Sequence, residues 1–356
     1  MRKLGILNFQ YSNHNYGAVL QAAALEYLLI AKGYDVRHID YQPLKKKGVK
    51  KLLINLIKRY VPINKNKNEE VFEHFRKKFL HRTEVVTSPS KFSKIATAFD
   101  IVIVGSDQVW RPSFSGDPVG FFLGHVPQGI RRVSYAASFG LDSWEQISDK
   151  SLTEYIKGEL IKFDKISCRE DSGVSICSDV FQIDSVHVLD PLLLVDQSFF
   201  DNILNESKLK NSAQKNPKVV FYKLDSSDEF EKDLSIIGDK LKCVPVNLYS
   251  TDKVAREFRP VDDWVSMICD SEVIVTDSYH CVCIGLRFNK KILFCPNDKR
   301  GKARLDSLFR QLDVKVIPFE GGTKLDFYFL EKSESFMNSF EKARINSIDF
   351  LDQSLR

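Results

Sequence analysis

Short apolar runs that end in small or polar residues alternate with longer segments of helical periodicity along most of the chain. That is the pattern of an α/β protein whose strands are buried on both faces. "LGILNF" stops at the polar loop "QYSNHN"; "YGAVLQAAALEYLLIA", from Tyr16 to Ala31, predicts a largely buried helix; "KGY" ends it, and "DVRHIDY" predicts a second strand. "IVIVGSDQVW" then sets four β-branched residues before Gly, Ser and Asp, and "RRVSYAASFG" and "KISCRED" repeat the design. In open parallel sheets such strand ends converge on a ligand crevice.

"VLDPLLLV" reads as the close of a first domain, and the polar, Pro-terminated stretch at 205–218 as a linker. The alternation restarts with "KVVFYKL", "SDEFEKDLSIIGDKL", "VPVNLY", "VDDWVSMIC", "EVIVTD", a helix from about Ser278, and "KILFC". The expectation is a Rossmann-like domain over 1–205, a second over 218–328, and an amphipathic helix over 329–356 crossing back to the first. No internal repeat or low-complexity tract interrupts this order.

One segment departs in character. "KKKGVKKLLINLIKRY" carries seven basic residues and no acid, with Val49, Leu52, Leu53, Leu56 and Ile57 at helical spacing. Such a helix packs on its own domain with lysines in water, or rests on the anionic inner face of a membrane. The first reading is favoured, within a helical excursion over about 45–80. "NKNKNEE" reads as a linker before a helix at "EEVFEHFRKKFL".

Composition narrows the classes. The excess of 52 Lys and Arg over 47 acids is only +5, too balanced to point to nucleic acid. Seven cysteines lie scattered, several in apolar runs, as in a reduced cytoplasmic protein. No stretch approaches the roughly 20 apolar residues of a membrane helix.

The candidate chemistry sits at strand ends. No GxxxxGK or GxGxxG loop follows a strand, but "NHNYGAVLQ" carries Asn15 and Gly17 into a helix start whose free N–H groups favour anions. The alternative is a capping turn in which Gly17 permits close packing. Ser106 and Asp107 close one strand, and Arg169 closes another, where it binds an anion or pairs with an acid such as Glu170. In "TDSYHCVC", Cys281 and Cys283 point to different sides of a helix, against zinc, and no metal site is expected. Adjacent His280 and Cys281 make a poor nucleophile pair. What remains is a helix cap at Asp277 or Ser278, and an imidazole suited to general acid work.

Taken in order, "YSNHNYGAVLQAAAL", "IVIVGSDQVW", "SYAASFG", "ISCRED", "VLDPLLLV" and "VIVTDSYH" resemble the motif set of the polysaccharide pyruvyl transferase family, over residues 4–312. The resemblance implies two Rossmann-like domains facing a cleft, as in the GT-B glycosyltransferase fold. It also implies transfer of pyruvate from phosphoenolpyruvate to two hydroxyls of a sugar, giving a cyclic ketal and phosphate, in synthesis of an envelope polysaccharide. Phosphoenolpyruvate would be a substrate, with no cofactor. A sugar nucleotide or lipid-linked saccharide would accept the pyruvyl group, and nucleic acid would play no part.

His280 would be the general acid or acid–base and Arg169 the donor's anion holder. Arg304, with Lys302 beside it, would add charge, and Ser106 and Asp107 would face the acceptor. Asn15, Gly17 and Ser278 complete the candidate substrate contacts. Cys281 stands where the family usually has Gly, and Arg111 where Asn is common. The competing expectations are a nucleotide-sugar-dependent glycosyltransferase and a non-catalytic saccharide-binding assembly protein.

Overall fold

The computed structural model describes residues 1–43, 65–207, 217–249, 257–297 and 303–356, without the side chains of 65–67. The basic stretch of 45–60 and Lys302 lie outside the described residues.

Two six-stranded sheets organise the described residues. The first is wholly parallel in the order β2-β1-β3-β4-β5-β6. Its strands are β1 (Lys3–Leu7), β2 (Asp35–His38), β3 (Ile101–Asp107), β4 (Arg131–Ala137), β5 (Ser167–Cys168) and β6 (Val186–His187). Every residue of β3 is buried, the reason "IVIVGSD" reads as a continuous apolar run and not as an alternation. The second sheet has parallel strands β7 (Val219–Tyr222), β8 (Val246–Asn247), β9 (Val273–Thr276) and β10 (Lys291–Phe294). An antiparallel pair, β11 (Val314–Pro318) and β12 (Tyr328–Lys332), extends its β10 edge.

Two expectations are corrected. "YFLEK" is strand β12, which pairs with both β10 and β11, and the final helix begins only at Phe336. Aromatic and aliphatic side chains there find a sheet edge to cover, which helical periodicity alone does not reveal. "NKNKNEE" is not a linker: from Lys65 on it lies in the helix Lys65–Phe79, since no Gly or Pro interrupts it, and Asn64 lies outside the described residues.

The helix Tyr16–Ala31 is buried along most of its length because it lies between the two halves. Leu25 and Leu29 share a core with Val282, Leu286 and Leu308, while Tyr16, Val19 and Leu20 share another with Trp264, Val265 and Ile284. Tyr16 stacks on Trp264 at 4.6 Å and its hydroxyl donates to the Arg259 carbonyl at 3.0 Å. The helix Phe336–Leu355 returns to the first sheet: the Leu189 N–H donates to Ser347 Oγ at 2.9 Å, and Arg2 and Arg131 donate to its terminal carbonyls. The halves therefore meet through shared apolar cores, leaving their strand ends face to face.

Candidate active site

At the end of β3, Gly105 has φ +151, and a Cβ there would lie 1.8 Å from the Tyr135 carbonyl oxygen. Only glycine lets the strand pass so close to β4. Asp107 follows at φ +73, an uncommon conformation for a residue with a Cβ, and turns its carboxylate toward the end of β5. There Arg169 is wholly buried. Its Nη1 donates to Asp190 Oδ2 at 2.9 Å and to Ser106 Oγ at 3.4 Å, and its Nη2 to Asp107 Oδ1 at 3.4 Å. Ser106 Oγ in turn donates to Asp190 Oδ2 at 2.9 Å.

The second half closes on this cluster. Ser278 caps the helix Tyr279–Arg287 by accepting the Cys281 N–H, which places His280 in its first turn. His280 Nε2 lies 3.2 Å from Arg169 Nη1 and 3.4 Å from Asp190 Oδ2. A neutral ring protonated on Nδ1 accepts at Nε2 from Arg169, and an imidazolium donates from Nε2 to Asp190. Nε2 thus meets a partner both as acceptor and as donor in a dry site. The Arg169 guanidinium stands 4.3 Å from the centre of the Tyr279 ring, and that of Arg304 5.8 Å from the same ring, both within cation–π range.

The first helix completes the cluster. Asn15 caps it by accepting the Ala18 N–H at 3.3 Å, and its amide donates to Asp107 Oδ2 at 3.5 Å. Gly17 presents bare backbone to His280.

Electrostatics follow from this packing. Burial alone would raise the Asp190 carboxyl, but His280 and Arg169 hold it well below the usual range. Asp107 is likewise depressed, its burial outweighed by Arg169, His280 and Arg304. Arg169 is held above the ordinary arginine value: burial opposes its charge, and Tyr279, Asp190 and Asp107 outweigh burial. Arg304 is pushed down to about 10 by burial and by the neighbouring Arg169 charge.

The structure thus brings together Asn15, Gly17, Ser106, Asp107, Arg169, His280 and Arg304 from across the chain, with Ser278 as the cap behind His280. Ser106 and Asp107 are engaged with Asp190, Arg169 and Asn15, and are not open toward a cleft. The Arg169 side chain does not hydrogen-bond its neighbour Glu170. That carboxylate turns to Ser138 Oγ and the N–H groups of Phe139 and Gly140, because consecutive side chains leave the strand end on opposite sides. Asp277 does not cap; it accepts the Leu224 N–H at 2.8 Å and pairs with Lys223 at 3.1 Å. Cys281 and Cys283 enter different apolar cores, and burial lifts the Cys281 thiol to about 12, away from thiolate chemistry. Arg111 is occupied by Gln108 and Glu145.

Sequence reasoning missed Asp190 and Tyr279. Asp190 lies in "VLDPLLLV", where an acid before Pro at a strand end carries the same signature as Asp107, in a segment that also suits a domain boundary.

Two sheets with facing carboxyl ends and a polar cluster drawn from both define a GT-B-type protein, a class that includes glycosyltransferases and sugar-nucleotide epimerases. The chain belongs to the polysaccharide pyruvyl transferase family, whose model matches residues 15–299. In structure it is similar to the UDP-GlcNAc 2-epimerase of Neisseria meningitidis bound to UDP-GlcNAc, at 12% identity and a TM-score of 0.51 over 100% of this chain and 99% of that one. A putative UDP-N-acetylglucosamine 2-epimerase from Listeria monocytogenes gives 11% identity and a TM-score of 0.46 over 99% and 89% of the chains. Arabidopsis thaliana UGT89C1 complexed with UDP gives 11% and 0.43 over 87% and 84%. No curated protein matches the sequence.

Proposed function

We propose that the protein transfers pyruvate from phosphoenolpyruvate to two hydroxyls of a saccharide, forming a cyclic ketal and releasing phosphate. Membership of the family supports transferase chemistry. The observation that carries the finer reading is the contact of His280 with Arg169 and Asp190, where a proton carrier from one half meets a buried guanidinium from the other.

His280 gives its Nε2 proton to the methylene carbon of the donor, leaving the neighbouring carbon electron-poor. One saccharide oxygen bonds to that carbon and its proton passes to His280. The carbon–oxygen bond to phosphate then breaks, the second oxygen bonds in its place, and the last proton leaves with phosphate. Atoms and charge balance with no further reactant. General acid–base transfer of this kind contributes about 10²–10⁴-fold.

Arg169 and Arg304 serve the donor's phosphate and carboxylate. Burial and the Arg169 charge both depress Arg304, and an anion lying between the two guanidiniums relieves their repulsion. Such preorganised charge in a dry site stabilises the phosphate that develops as the bond breaks. The acceptor is a sugar nucleotide or lipid-linked saccharide of glycan assembly. No helix among the described residues is long and apolar enough to cross a membrane.

The test incubates the protein with phosphoenolpyruvate and a panel of sugar nucleotides and lipid-linked saccharides, measuring phosphate and acceptor mass. Pyruvylated acceptor with equal phosphate is expected. Glycosyl transfer with phosphoenolpyruvate untouched would overturn the reading.

A further inference from the structure

A cavity of about 620 Å³ opens beside the loop that follows β1, and no role above uses it. Its size falls within the range of about 300–1,000 Å³ usual for ligand sites. Its walls come from that loop (Tyr11, Asn13), from the chain just after β2 (Asp40, Gln42), from the helix Lys65–Phe79 (Glu73, Arg76) and from 80–85. The loop and the segment after β2 both leave the carboxyl edge of the first sheet, the edge that carries the Arg169 cluster.

The cavity wall is built, not frayed. Arg76 is almost fully buried and clamps the loop, donating to the carbonyls of Gln10 and Ser12 at 3.3 and 3.1 Å and to Asn13 Oδ1 at 2.7 Å. Its Nε donates to Glu73 at 3.0 Å, and Glu73 also takes two bonds from Arg82. Asn13 lines the cavity, and Asn15, two residues on, donates to Asp107. Two residues span at most about 7 Å, so cavity and cluster are neighbours along one loop.

The charges differ between the two sites. Among the lining residues Asp40, Glu69, Glu73 and Glu84 face Arg76, Lys77 and Arg82, four acids against three bases. A dianionic donor gains nothing there, whereas a neutral polyhydroxylic ring finds the Glu69 and Glu84 carboxylates, the Lys77 ammonium and the Tyr11 ring beside a wall held by Arg76 and Glu73.

We propose that this cavity is the acceptor site and takes a glycosyl residue with free hydroxyls. The proposal rests on the function given above but claims a separate place for the saccharide, since Ser106 and Asp107 are buried within the Arg169 cluster.

The test uses the full chain and two binding measurements that need no turnover. Saturation-transfer NMR reads methyl glycosides of galactose, mannose, glucose and N-acetylglucosamine at millimolar concentration; calorimetry reads phosphoenolpyruvate. Val85 lines the cavity and is 54% exposed, so Val85→Trp fills the space without removing core packing, and Gln42→Ala removes a polar contact. At least one glycoside is expected to bind, both variants to weaken it at least five-fold, and phosphoenolpyruvate affinity to stay within two-fold of the parent. Glycoside binding unchanged by both variants, or no glycoside bound by the parent, would overturn the site. Loss of phosphoenolpyruvate binding in the parent would instead overturn the donor assignment, leaving the glycoside result readable.

Discussion

A Cβ on Gly17 would lie 1.9 Å from Nδ1 of His280, so the backbone of the first helix bears directly on an imidazole supplied by the second half. The close packing that Gly17 permits is therefore packing against the His280 ring. It fixes the ring from behind while Arg169 and Asp190 meet it at Nε2.

Gly17→Ala is accordingly expected to displace the imidazole by about the width of a methyl group. The overpacking costs about 1–3 kcal/mol, and a misplacement near 1 Å costs about 10²-fold in rate. Phosphate release per enzyme and a thermal melt check this. A variant as active as the parent would show that the ring tolerates the shift.

His280→Ala removes the proton carrier and leaves a small cavity. Turnover is expected to fall by about 10²–10⁴-fold, with circular dichroism unchanged. Rates near the parent's would take His280 out of the chemistry.

The two arginines should separate. Arg169→Met strands Asp190 and Asp107 in the interior, and breaking a buried pair costs about 3–5 kcal/mol. Arg304→Met removes a buried charge that repels Arg169 but also attracts Asp107 and Glu170. Denaturant melts should show a larger loss for the first than for the second, while calorimetry shows weaker phosphoenolpyruvate binding in Arg304→Met. Equal losses of stability would contradict the charge arrangement.

Acid stability should depend on Asp190. Its folded pKa lies below the unfolded carboxyl value of about 3.9, so its contribution is present above that value and is lost as pH falls through the folded pKa. Asp190→Asn should be less stable at pH 7 and lose less on acidification. Urea melts between pH 7 and 3 measure the slope, and parallel curves for parent and variant would refute the linkage.

Much of the site was legible because its residues end buried strands. Ser106, Asp107 and Arg169 follow β-branched or apolar runs, and Asn15 and Ser278 carry the signature of helix caps. Asp190 showed the same signal, but a strand as short as β6, Val186–His187, gives too little periodicity to announce itself. Strand β12 was hidden for a related reason: an edge pair is defined by its partners, not by its own pattern.

The sequence alone determined the α/β alternation, the two halves, the strand-end positions of the polar residues and the family, since each is local in the chain. The tertiary structure alone decided which of those residues meet. Arg169 turns to Asp190 and Asp107 and away from adjacent Glu170, and Gly17 receives His280, because these contacts join segments far apart in sequence. Such partners are chosen by how two shared cores dock the halves, a property of packing that no single segment encodes.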